Sequence, residues 1–308
     1  MTPIWKTSRI LFVLALTLTC QGCVGRLFYW PDRTVYDTPD RHGLRYEEVT
    51  FQSRDGTRLS GWFIPAVGTP RGTVIHFHGN ARNMTAHFGF VSWLPAQGFN
   101  LFVFDYRGYG ASAGTPDRRG VYEDSLAALD YIAARPDIDH NRLLVLGQSL
   151  GGANAIVALG SRPIAVIRAV VIDSAFASYR DIVRDKIAAM PLLSFFRTPL
   201  SRLLIDNSLS PDAVIANIPP SPLLIIHGTS DRVVPYAHGR RLFELAREPK
   251  QLWTIEGGDH TEAFADPSSP YRQRLVTFFN EALEGGVNGN EHSTSEDGDG
   301  RKVNLKVK

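Results

Sequence analysis

The sequence predicts an α/β fold in which a mostly parallel sheet, preceded by an antiparallel hairpin, carries helices on both faces. Short, continuous apolar segments alternate with segments whose apolar residues recur at helical spacing, as buried parallel strands and their crossover helices do. Ahead of them, two segments of alternating polarity flank the turn signal Arg54-Asp55-Gly56, which predicts the hairpin. This order indicates one domain, which we assign to residues 45–284.

Each predicted element rests on a local pattern. The two hairpin strands begin near Tyr46 and Arg58, where the alternation of polar and apolar residues starts. Buried strands are predicted from the apolar segments that begin at Gly72, Asn100, Arg142, Ile167, Pro222 and Gln251. Helices are predicted at about residues 83–97, 121–134, 153–159 and 271–283.

One insertion interrupts the alternation of strands and helices. Residues 176–218 follow the strand that ends at Asp173, and they include the apolar sequence from Met190 to Phe196. Loops on the carboxyl side of a parallel sheet surround its binding crevice, so the insertion is predicted to be a small lid over that crevice. A helical pair that only covers the core would give the same pattern.

Composition limits the possible function classes. The formal net charge is only +2 and no run of lysine and arginine forms a basic stripe, so a nucleic-acid partner is not expected. The only cysteines, Cys20 and Cys23, lie near the N-terminus, which excludes a disulfide, a thiolate nucleophile and Cys-ligated zinc from the folded domain. The polar residues 285–308 are predicted to be disordered.

Residues 1–23 have the pattern of a targeting segment. A positively charged start precedes the apolar residues 10–18, a stretch that is short for a membrane span. Gly22-Cys23 then resembles the end of a bacterial lipoprotein signal, in which the cysteine is acylated after cleavage. The match is imperfect, because Cys20 stands where such signals usually carry leucine.

This resemblance predicts a cell-envelope protein that is anchored in a membrane through Cys23, with residues 24–44 as a connector and the folded domain outside the cytoplasm. An uncleaved N-terminal anchor, or an ordinary secretory signal cut nearby, would also fit. The spacing Cys20-x-x-Cys23 is also found in redox and metal motifs, but no strand–helix pattern surrounds it here.

The strongest chemical motif is Gly147-Gln-Ser149-Leu-Gly151, which has the pattern G-x-S-x-G. It directly follows a predicted buried strand and opens a predicted helix. Such a strand-to-helix turn holds the serine in a strained backbone conformation, which needs glycine neighbours, and presents its hydroxyl at the positive end of the helix. This position, more than the motif letters, predicts that Ser149 is a nucleophile.

A serine nucleophile needs a base, and the base needs a carboxylate that orients it. In the fold where this motif occurs, the chain order is serine, acid, histidine. His260 lies in a glycine-containing loop after the last predicted strand and Asp231 follows the preceding strand, so we predict His260 as the base and Asp231 as the acid. Asp173, also at a strand end, is the main alternative acid, and Asp259 is a weaker one.

Two backbone N–H groups are predicted to bind the oxyanion. One belongs to Leu150, which follows the nucleophile, and the other to Asn80, in the loop after the strand that begins at Gly72. His76 and His78 lie on one face of that strand, as metal ligands would, but no Asp-His pair follows at the spacing of a metallohydrolase. We therefore expect no metal and interpret His76 as a sheet residue.

Together these motifs resemble those of the α/β-hydrolase superfamily, and within it the serine aminopeptidase and acyl-protein-thioesterase-like branch. The resemblance covers roughly residues 46–283 and rests on the motifs that begin at His78, Asp105, Gly147, His227 and Gly258. It implies the α/β-hydrolase fold, hydrolysis of ester, thioester or amide bonds, and no metal or organic cofactor. It also implies that residues 105–110 form a structural loop beside the pocket. Ser149 in place of aspartate argues against dehalogenase and epoxide-hydrolase relatives.

We expect an exported serine hydrolase that cleaves acyl esters or thioesters of small-molecule or lipid-like substrates through an acyl-enzyme. A serine peptidase or aminopeptidase is the enzymatic alternative, although no residue in the sequence marks an amine-binding site. The alternative from another class is a catalytically idle envelope scaffold or binding protein. The complete set of Ser149, Asp231 and His260 argues against that alternative.

Overall fold

The computed structural model describes residues 28–162 and 167–285, and in this part of the chain eight strands form one main sheet. Two further strands, β1 (Trp30–Pro31) and β5 (Ala81–Arg82), pair in parallel outside it. The strands of the main sheet are β2 (Glu47–Gln52), β3 (Arg58–Ile64), β4 (Gly72–Phe77), β6 (Phe99–Asp105), β7 (Leu143–Gln148), β8 (Ile167–Asp173), β9 (Leu223–Gly228) and β10 (Lys250–Ile255).

Across the main sheet the strands lie in the order β10-β9-β8-β7-β4-β6-β3-β2. The strands from β10 to β6 in this order are parallel, whereas β3 is antiparallel to β6 and β2 is antiparallel to β3. The predicted fold class, a mostly parallel sheet with an antiparallel hairpin, is confirmed. The predictions for residues 1–23 and for the tail beyond residue 285 lie outside the described residues.

Seven α-helices connect and cover these strands in the described ranges. They are α1 (Met84–His87), α2 (Arg118–Ala133), α3 (Leu150–Ser161), α4 (Tyr179–Ala188), α5 (Arg197–Leu204), α6 (Ala237–Leu245) and α7 (Pro270–Glu284). The helix α2 starts earlier than its periodicity predicts, because the carboxylate of Asp117 caps it by accepting the N–H of Gly120 at 2.9 Å. In these ranges no helix is both long enough and apolar enough to cross a bilayer.

The single helix predicted at residues 83–97 is wrong. The short α1 is followed by two 3₁₀ turns, Phe88–Phe90 and Pro95–Gln97, and the second ends at Gly98 with φ 85°. Proline starts a helical turn but cannot continue one, and a left-handed glycine ends it. Four apolar side chains in this segment are nevertheless buried at helical spacing, which explains the misleading pattern. They are Met84, Phe88, Val91 and Leu94.

The segment predicted as a connector, residues 24–44, is described from residue 28 onward and contacts the domain at several points. Besides the pairing of β1 with β5, the N–H of Trp30 donates to the carbonyl of Asn80 at 3.0 Å. Tyr29 is buried, and the side-chain amide of Asn83 donates to the carbonyl of Thr34 at 2.8 Å. The aromatic residues at the start of this segment are therefore part of the fold, although they follow no strand or helix period.

Both faces of the sheet are buried at its central strands, whereas the edge strands β2 and β10 are partly exposed, so the strand predicted as buried from Gln251 is an edge strand. On β6, Phe102 and Phe104 belong to the apolar cluster beneath α2 and α3, whereas Leu101 and Val103 belong to the cluster beneath α7. All four side chains are fully buried, and each such burial contributes about 1.5–3 kcal/mol. Because both faces need apolar residues, the strands have continuous apolar sequences without alternation.

The insertion between β8 and β9 contains α4 and α5, which pack against each other. The helix α4 is capped by the hydroxyl of Ser178, which accepts the N–H of Asp181 at 3.1 Å, and it buries Ile182 and Ile187. The helix α5 buries Ser201 and leaves larger apolar residues at the surface. The two helices form a small layer at the carboxyl edge of the sheet.

A buried ion pair holds the loop that follows β6. The guanidinium of Arg107 donates to both carboxylate oxygens of Asp124 on α2 at 2.8 to 3.1 Å, and it also reaches Asp55 and Ser53 of the hairpin turn. Burial lowers the pKa of Arg107, but the two carboxylates outweigh burial and raise this pKa above its usual value. The pair therefore ties the hairpin, the loop and α2 together.

Asp124→Ala is expected to destabilise the protein by about 3–5 kcal/mol, because it leaves the buried guanidinium of Arg107 without its main partner. Asp130→Ala is the control, since Asp130 pairs with Arg162 at the surface, and such pairs contribute about 0–1 kcal/mol. Urea unfolding followed by circular dichroism gives both free energies of unfolding. Equal losses for the two variants would contradict the role given to the buried pair.

Candidate active site

Ser149 lies in the turn between β7 and α3, at the carboxyl edge of the sheet. Its backbone has φ 53° and ψ −119°, a strained conformation for a residue other than glycine. The N–H of Ser149 donates to the carbonyl of Asp173 at 2.8 Å, which ties the turn to the neighbouring strand β8. The hydroxyl is thereby held at the N-terminus of α3, where the helix dipole favours a developing negative charge.

The turn requires glycine at position 151. A Cβ atom on Gly151 would lie 2.1 Å from the carbonyl oxygen of Phe77 and 2.4 Å from that of His78. Both distances are far shorter than van der Waals contact. The helix α3 can therefore start this close to the end of β4 only because Gly151 has no side chain.

His260 connects Ser149 to Asp231 through two hydrogen bonds. Its Nε2 lies 2.9 Å from Oγ of Ser149, and its Nδ1 lies 2.7 Å from Oδ2 of Asp231. Because an ionised carboxylate can only accept, Nδ1 carries the proton and Nε2 of the neutral ring accepts from the serine hydroxyl. The structure thus brings together the three residues that the sequence predicts as nucleophile, base and acid.

Asp231 is stabilised as an anion. Its Oδ1 accepts the N–H groups of Val233 and Val234, each at 2.8 Å. Nε2 of His227 lies 3.3 Å from Oδ2 of Asp231 and donates to the carbonyl of Val234 at 2.8 Å. Burial raises the pKa of Asp231, but the N–H groups of His227, His260 and Val234 outweigh burial and hold this pKa well below its ordinary value. The carboxylate is therefore charged at neutral pH and can stabilise a protonated His260.

Asp173, the main alternative acid, lies near the site but is not bonded to the imidazole. Its carboxylate accepts the hydroxyl of Ser174 at 2.9 Å and the side-chain amide of Gln148 at 3.3 Å, and burial raises its pKa. The hydroxyl of Ser174 also accepts the N–H of Thr261 at 3.1 Å. Asp173 therefore supports the backbone of the loop that carries His260 and does not contact the ring.

Asp259, the weaker alternative, faces Arg232. Its Oδ2 accepts from Nε of Arg232 at 2.6 Å, and this hydrogen bond lowers the pKa of Asp259 to about 2. Its Oδ1 accepts the backbone N–H groups of Arg232 and His260 at 3.0 and 2.9 Å. Asp259 therefore holds the loop backbone, and Asp231 is the carboxylate that meets the imidazole.

Asn80 and Leu150 lie beside Ser149 in the wall of one pocket. The carbonyl of Asn80 accepts the N–H of Trp30 at 3.0 Å and the hydroxyl of Tyr109 at 2.7 Å, which fixes this stretch of backbone. Within the described residues the N–H of Asn80 has no acceptor. The N–H of Leu150 belongs to the first turn of α3, and N–H groups in a first turn have no acceptor inside the helix. Both predicted oxyanion donors therefore remain open to a ligand.

The histidines on β4 and in the loop after it have partners within the protein. His76 donates from Nε2 to the side-chain oxygen of Gln148 at 3.1 Å, and burial lowers its pKa to about 3. His78 donates from Nδ1 to the carbonyl of Gly79 at 2.8 Å, and its Nε2 lies 3.3 Å from Asp105. In residues 28–162 and 167–285 no three His, Cys, Asp or Glu side chains are grouped to hold a metal ion.

The hydroxyl of Ser149 opens onto a pocket of about 500 Å³. The pocket is lined by Phe28, Asn80, Ser149, Leu150, Phe176, Ile182, Val183, Lys186, Ile187, Met190, Leu193, Leu200, Leu204, Val233 and Val234. Most of these side chains are apolar and many come from the insertion, which forms the roof. Among these described lining residues the one charged side chain is that of Lys186, which donates to the carbonyl of Val233 at 2.7 Å. A larger groove of about 820 Å³ near Phe51 contains none of the predicted site residues.

Sequence reasoning missed several contributors to this site. Phe28 lies in the segment predicted as a connector, and it lines the pocket. The sequence offered one signal of this packing, the run of three aromatic residues that begins at Phe28. Lys186 contributes its ammonium from the insertion. His227, near the end of β9, lies 3.3 Å from the carboxylate of Asp231, and no pattern in the sequence assigned it that contact.

The site can move a proton from Oγ of Ser149 to His260 and can stabilise negative charge next to Leu150 and Asn80. These are the requirements for cleaving a bond through a serine nucleophile. Together with the sheet order, they define an α/β hydrolase as the class of protein.

Comparison with known proteins agrees with this class. A family model described as serine aminopeptidase, S33, matches residues 68–219. The protein YfhR of Escherichia coli strain K12 is 42% identical over 287 residues, which cover 90% of this chain and 96% of YfhR. The α/β hydrolase domain-containing protein WAV2 of Arabidopsis thaliana is 36% identical, over 78% of this chain and 80% of WAV2. The chain therefore belongs to the α/β-hydrolase superfamily, in the family that includes YfhR, and it is a hydrolase.

Solved structures show the same fold. The esterase Pf2001 of Pyrococcus furiosus has a TM-score of 0.66 at 22% identity, covering 83% of this chain and 97% of the esterase. Acetyl xylan esterase 1 of a Thermoanaerobacterium species has a TM-score of 0.62 at 17% identity, covering 82% of this chain and 86% of that enzyme. At these identities the likeness establishes the fold.

Gly151→Ala is expected to destabilise the protein by about 3 kcal/mol or more, because the new methyl group would force the start of α3 away from the end of β4. Gly89→Ala is the matched control, since a Cβ atom there meets nothing within 4 Å. Its effect should stay within about 0.5 kcal/mol. Thermal and urea unfolding measure both changes, and a Gly151→Ala protein as stable as the wild type would contradict the close packing.

Proposed function

We propose that the protein is a serine hydrolase that cleaves acyl esters or thioesters through an acyl-enzyme on Ser149. The observation that carries this proposal is the hydrogen-bonded series Ser149, His260, Asp231 at the opening of an apolar pocket of about 500 Å³. The hydroxyl supplies the nucleophile, and the pocket supplies a site for an apolar acyl group.

The proposed reaction uses each of these groups. Nε2 of His260 takes the hydroxyl proton while Oγ of Ser149 attacks the acyl carbonyl carbon, and the resulting oxyanion is bound by the N–H groups of Leu150 and Asn80. The anionic Asp231 stabilises the imidazolium, which then gives its proton to the leaving alcohol or thiol. Water, deprotonated by His260, attacks the acyl-enzyme and restores the serine hydroxyl as the acid leaves.

The chemistry of the pocket favours an acyl substrate over a peptide with a free amino terminus. An aminopeptidase substrate carries an ammonium group, which needs a carboxylate or several acceptors nearby. The charged group among the described lining residues is the ammonium of Lys186, which repels such a substrate, and no carboxylate lines the pocket. An uncharged acyl chain, in contrast, can be buried against the aliphatic and aromatic wall.

A fluorophosphonate probe tests the nucleophile. Wild-type protein should be labelled covalently, and Ser149→Ala should abolish the labelling and lower ester turnover by several orders of magnitude, because only binding and oxyanion stabilisation remain. Ser161→Ala, at the other end of the same helix, should be labelled like the wild type. Labelling of the Ser149→Ala protein would contradict the proposal, and an unlabelled wild type would favour a catalytically idle scaffold.

The two buried carboxylates can be separated by paired substitutions. Asp231→Asn should lower turnover of an ester by about 10⁴, because the imidazole loses the group that fixes its tautomer and stabilises its charged form. Asp173→Asn should cost much less, since Asp173 contacts the loop backbone through Ser174 and not the ring. Circular dichroism confirms that both variants fold, and the reverse ranking of turnover would move the acid to Asp173.

We propose further that the protein is anchored to a membrane in the cell envelope through an acylated Cys23, with its catalytic domain outside the cytoplasm. The support is the charge and apolar pattern of residues 1–23 and the pair Gly22-Cys23 at its end. The multiple acyl chains of a bacterial lipoprotein anchor firmly, whereas one chain anchors only marginally.

Membrane fractionation tests this anchor. Cys23→Ser should release the protein from the membrane fraction, and Cys20→Ser should leave it bound, because acylation is assigned to the second cysteine. Incorporation of a labelled fatty acid should follow the same pattern. Release by Cys20→Ser alone would show that the wrong cysteine was chosen, and retention of both variants would refute the lipoprotein assignment.

A further inference from the structure

The insertion exposes a group of large apolar side chains next to the pocket. We call this group the apolar tip, and its members are Met190, Leu192, Leu193, Phe195, Phe196 and Leu203. Leu192 and Phe195 are the most exposed, at 90% and 92% of their full surface. Burying one such side chain is worth about 1.5–3 kcal/mol. Several exposed large apolar side chains within fourteen residues of one insertion are typical of a surface that binds a membrane or another molecule.

The charges around the apolar tip identify the partner. Residues 186–205 include Lys186, Arg197 and Arg202 but no aspartate or glutamate. Neither Arg197 nor Arg202 forms an ion pair with a described residue. The nearest carboxylates in the chain, Asp185 and Asp206, are paired with Arg184 and Arg118. An apolar surface bordered by cationic side chains such as Arg197 and Arg202 matches the boundary between the acyl chains and the anionic headgroups of a bilayer.

The position of the N-terminal segment points to the same partner. Phe28 lines the pocket together with Met190 and Leu193, and its ring lies 4.9 Å from that of Tyr179, the first residue of α4. Cys23 precedes Phe28 by five residues, which can span at most about 18 Å when fully extended. An acyl chain on Cys23 would therefore start within about 18 Å of the pocket wall to which Phe28, Met190 and Leu193 belong.

We infer that the apolar tip inserts into the headgroup region of an anionic bilayer and holds the mouth of the Ser149 pocket at the lipid surface. Acyl substrates then enter the pocket from the membrane and need not cross water. The assignment of a substrate rests on the proposed function, whereas the contact with lipid is tested without turnover.

Site-directed fluorescence tests the contact with lipid in the full chain. The only two cysteines are Cys20 and Cys23, so replacing both by serine leaves a background in which one new cysteine can be labelled. An environment-sensitive dye is attached through Leu192→Cys or, as control, through Val67→Cys. Val67 is an apolar residue exposed at 62%, and it lies before β4, at the opposite edge of the sheet.

With vesicles of phosphatidylglycerol and phosphatidylethanolamine, the dye at position 192 should shift to the blue and be quenched by nitroxide-labelled lipid, and the dye at position 67 should not change. Arg197→Gln and Arg202→Gln should each weaken vesicle binding about fivefold. No quenching at position 192 in vesicle-bound protein overturns the inference. A blue shift that rises with protein concentration in the absence of lipid also overturns it, because the tip would then bind a second copy of the chain.

Turnover distinguishes this inference from the proposed function. Leu192→Glu and Phe195→Glu lie outside the pocket wall, so both variants should hydrolyse a soluble short-chain ester at the wild-type kcat/KM. On a long-chain ester dispersed in anionic vesicles they should lose activity about tenfold, because a charged tip cannot enter the interface. Equal activity of variants and wild type on the vesicle ester overturns substrate entry from the membrane. A wild type that hydrolyses neither ester refutes the proposed function, and the quenching result still decides the contact with lipid.

Discussion

The start of α3 lies directly against the end of β4, and the rest of the site depends on this contact. Because Gly151 meets the carbonyl of Phe77 without a side chain between them, the turn at Ser149 is pressed against the loop that follows β4. That loop contains Asn80, and the helix begins with Leu150, so residues from two distant parts of the chain lie beside Ser149 in the wall of one pocket. One steric constraint therefore positions the nucleophile and both predicted oxyanion donors at once.

The histidine and its carboxylate depend on a second close approach, between the loops after β9 and β10. These strands pair in parallel up to Gly228, where a Cβ atom would lie 2.2 Å from the carbonyl oxygen of Gly258. The N–H of Ser230 donates to that same carbonyl at 2.9 Å. Neighbouring strands thus deliver Asp231 and His260 to adjacent loops, and the short distance between the two side chains follows from sheet pairing more than from any attraction between them.

The chemistry of the site could be predicted from sequence because each key residue lies in the turn or loop that follows a parallel strand of the sheet. Continuous apolar segments in the sequence mark most of these strands. The carboxyl ends of parallel strands meet at one edge of the sheet, and Ser149, Asp231 and His260 all lie at that edge. The broken helix within residues 83–97 could not be predicted, since its apolar residues keep helical spacing through 3₁₀ turns. The packing of residues 28–44 and the make-up of the pocket wall could not be predicted either, because both depend on contacts between segments that are distant in the chain. Such contacts produce no periodic pattern in the sequence.

The pairing of β1 with β5 sets a limit on how far the protein can be shortened at its N-terminus. The backbone N–H of Trp30 donates a hydrogen bond to the carbonyl of Asn80, and Phe28 forms part of the pocket wall. A truncation designed from the first strand of the main sheet would start near Glu47 and would remove both. The peptide that carries Asn80, a predicted oxyanion donor, would then be less firmly held, and the pocket would be open on one side. A version shortened for crystallisation or screening should therefore begin no later than Phe28.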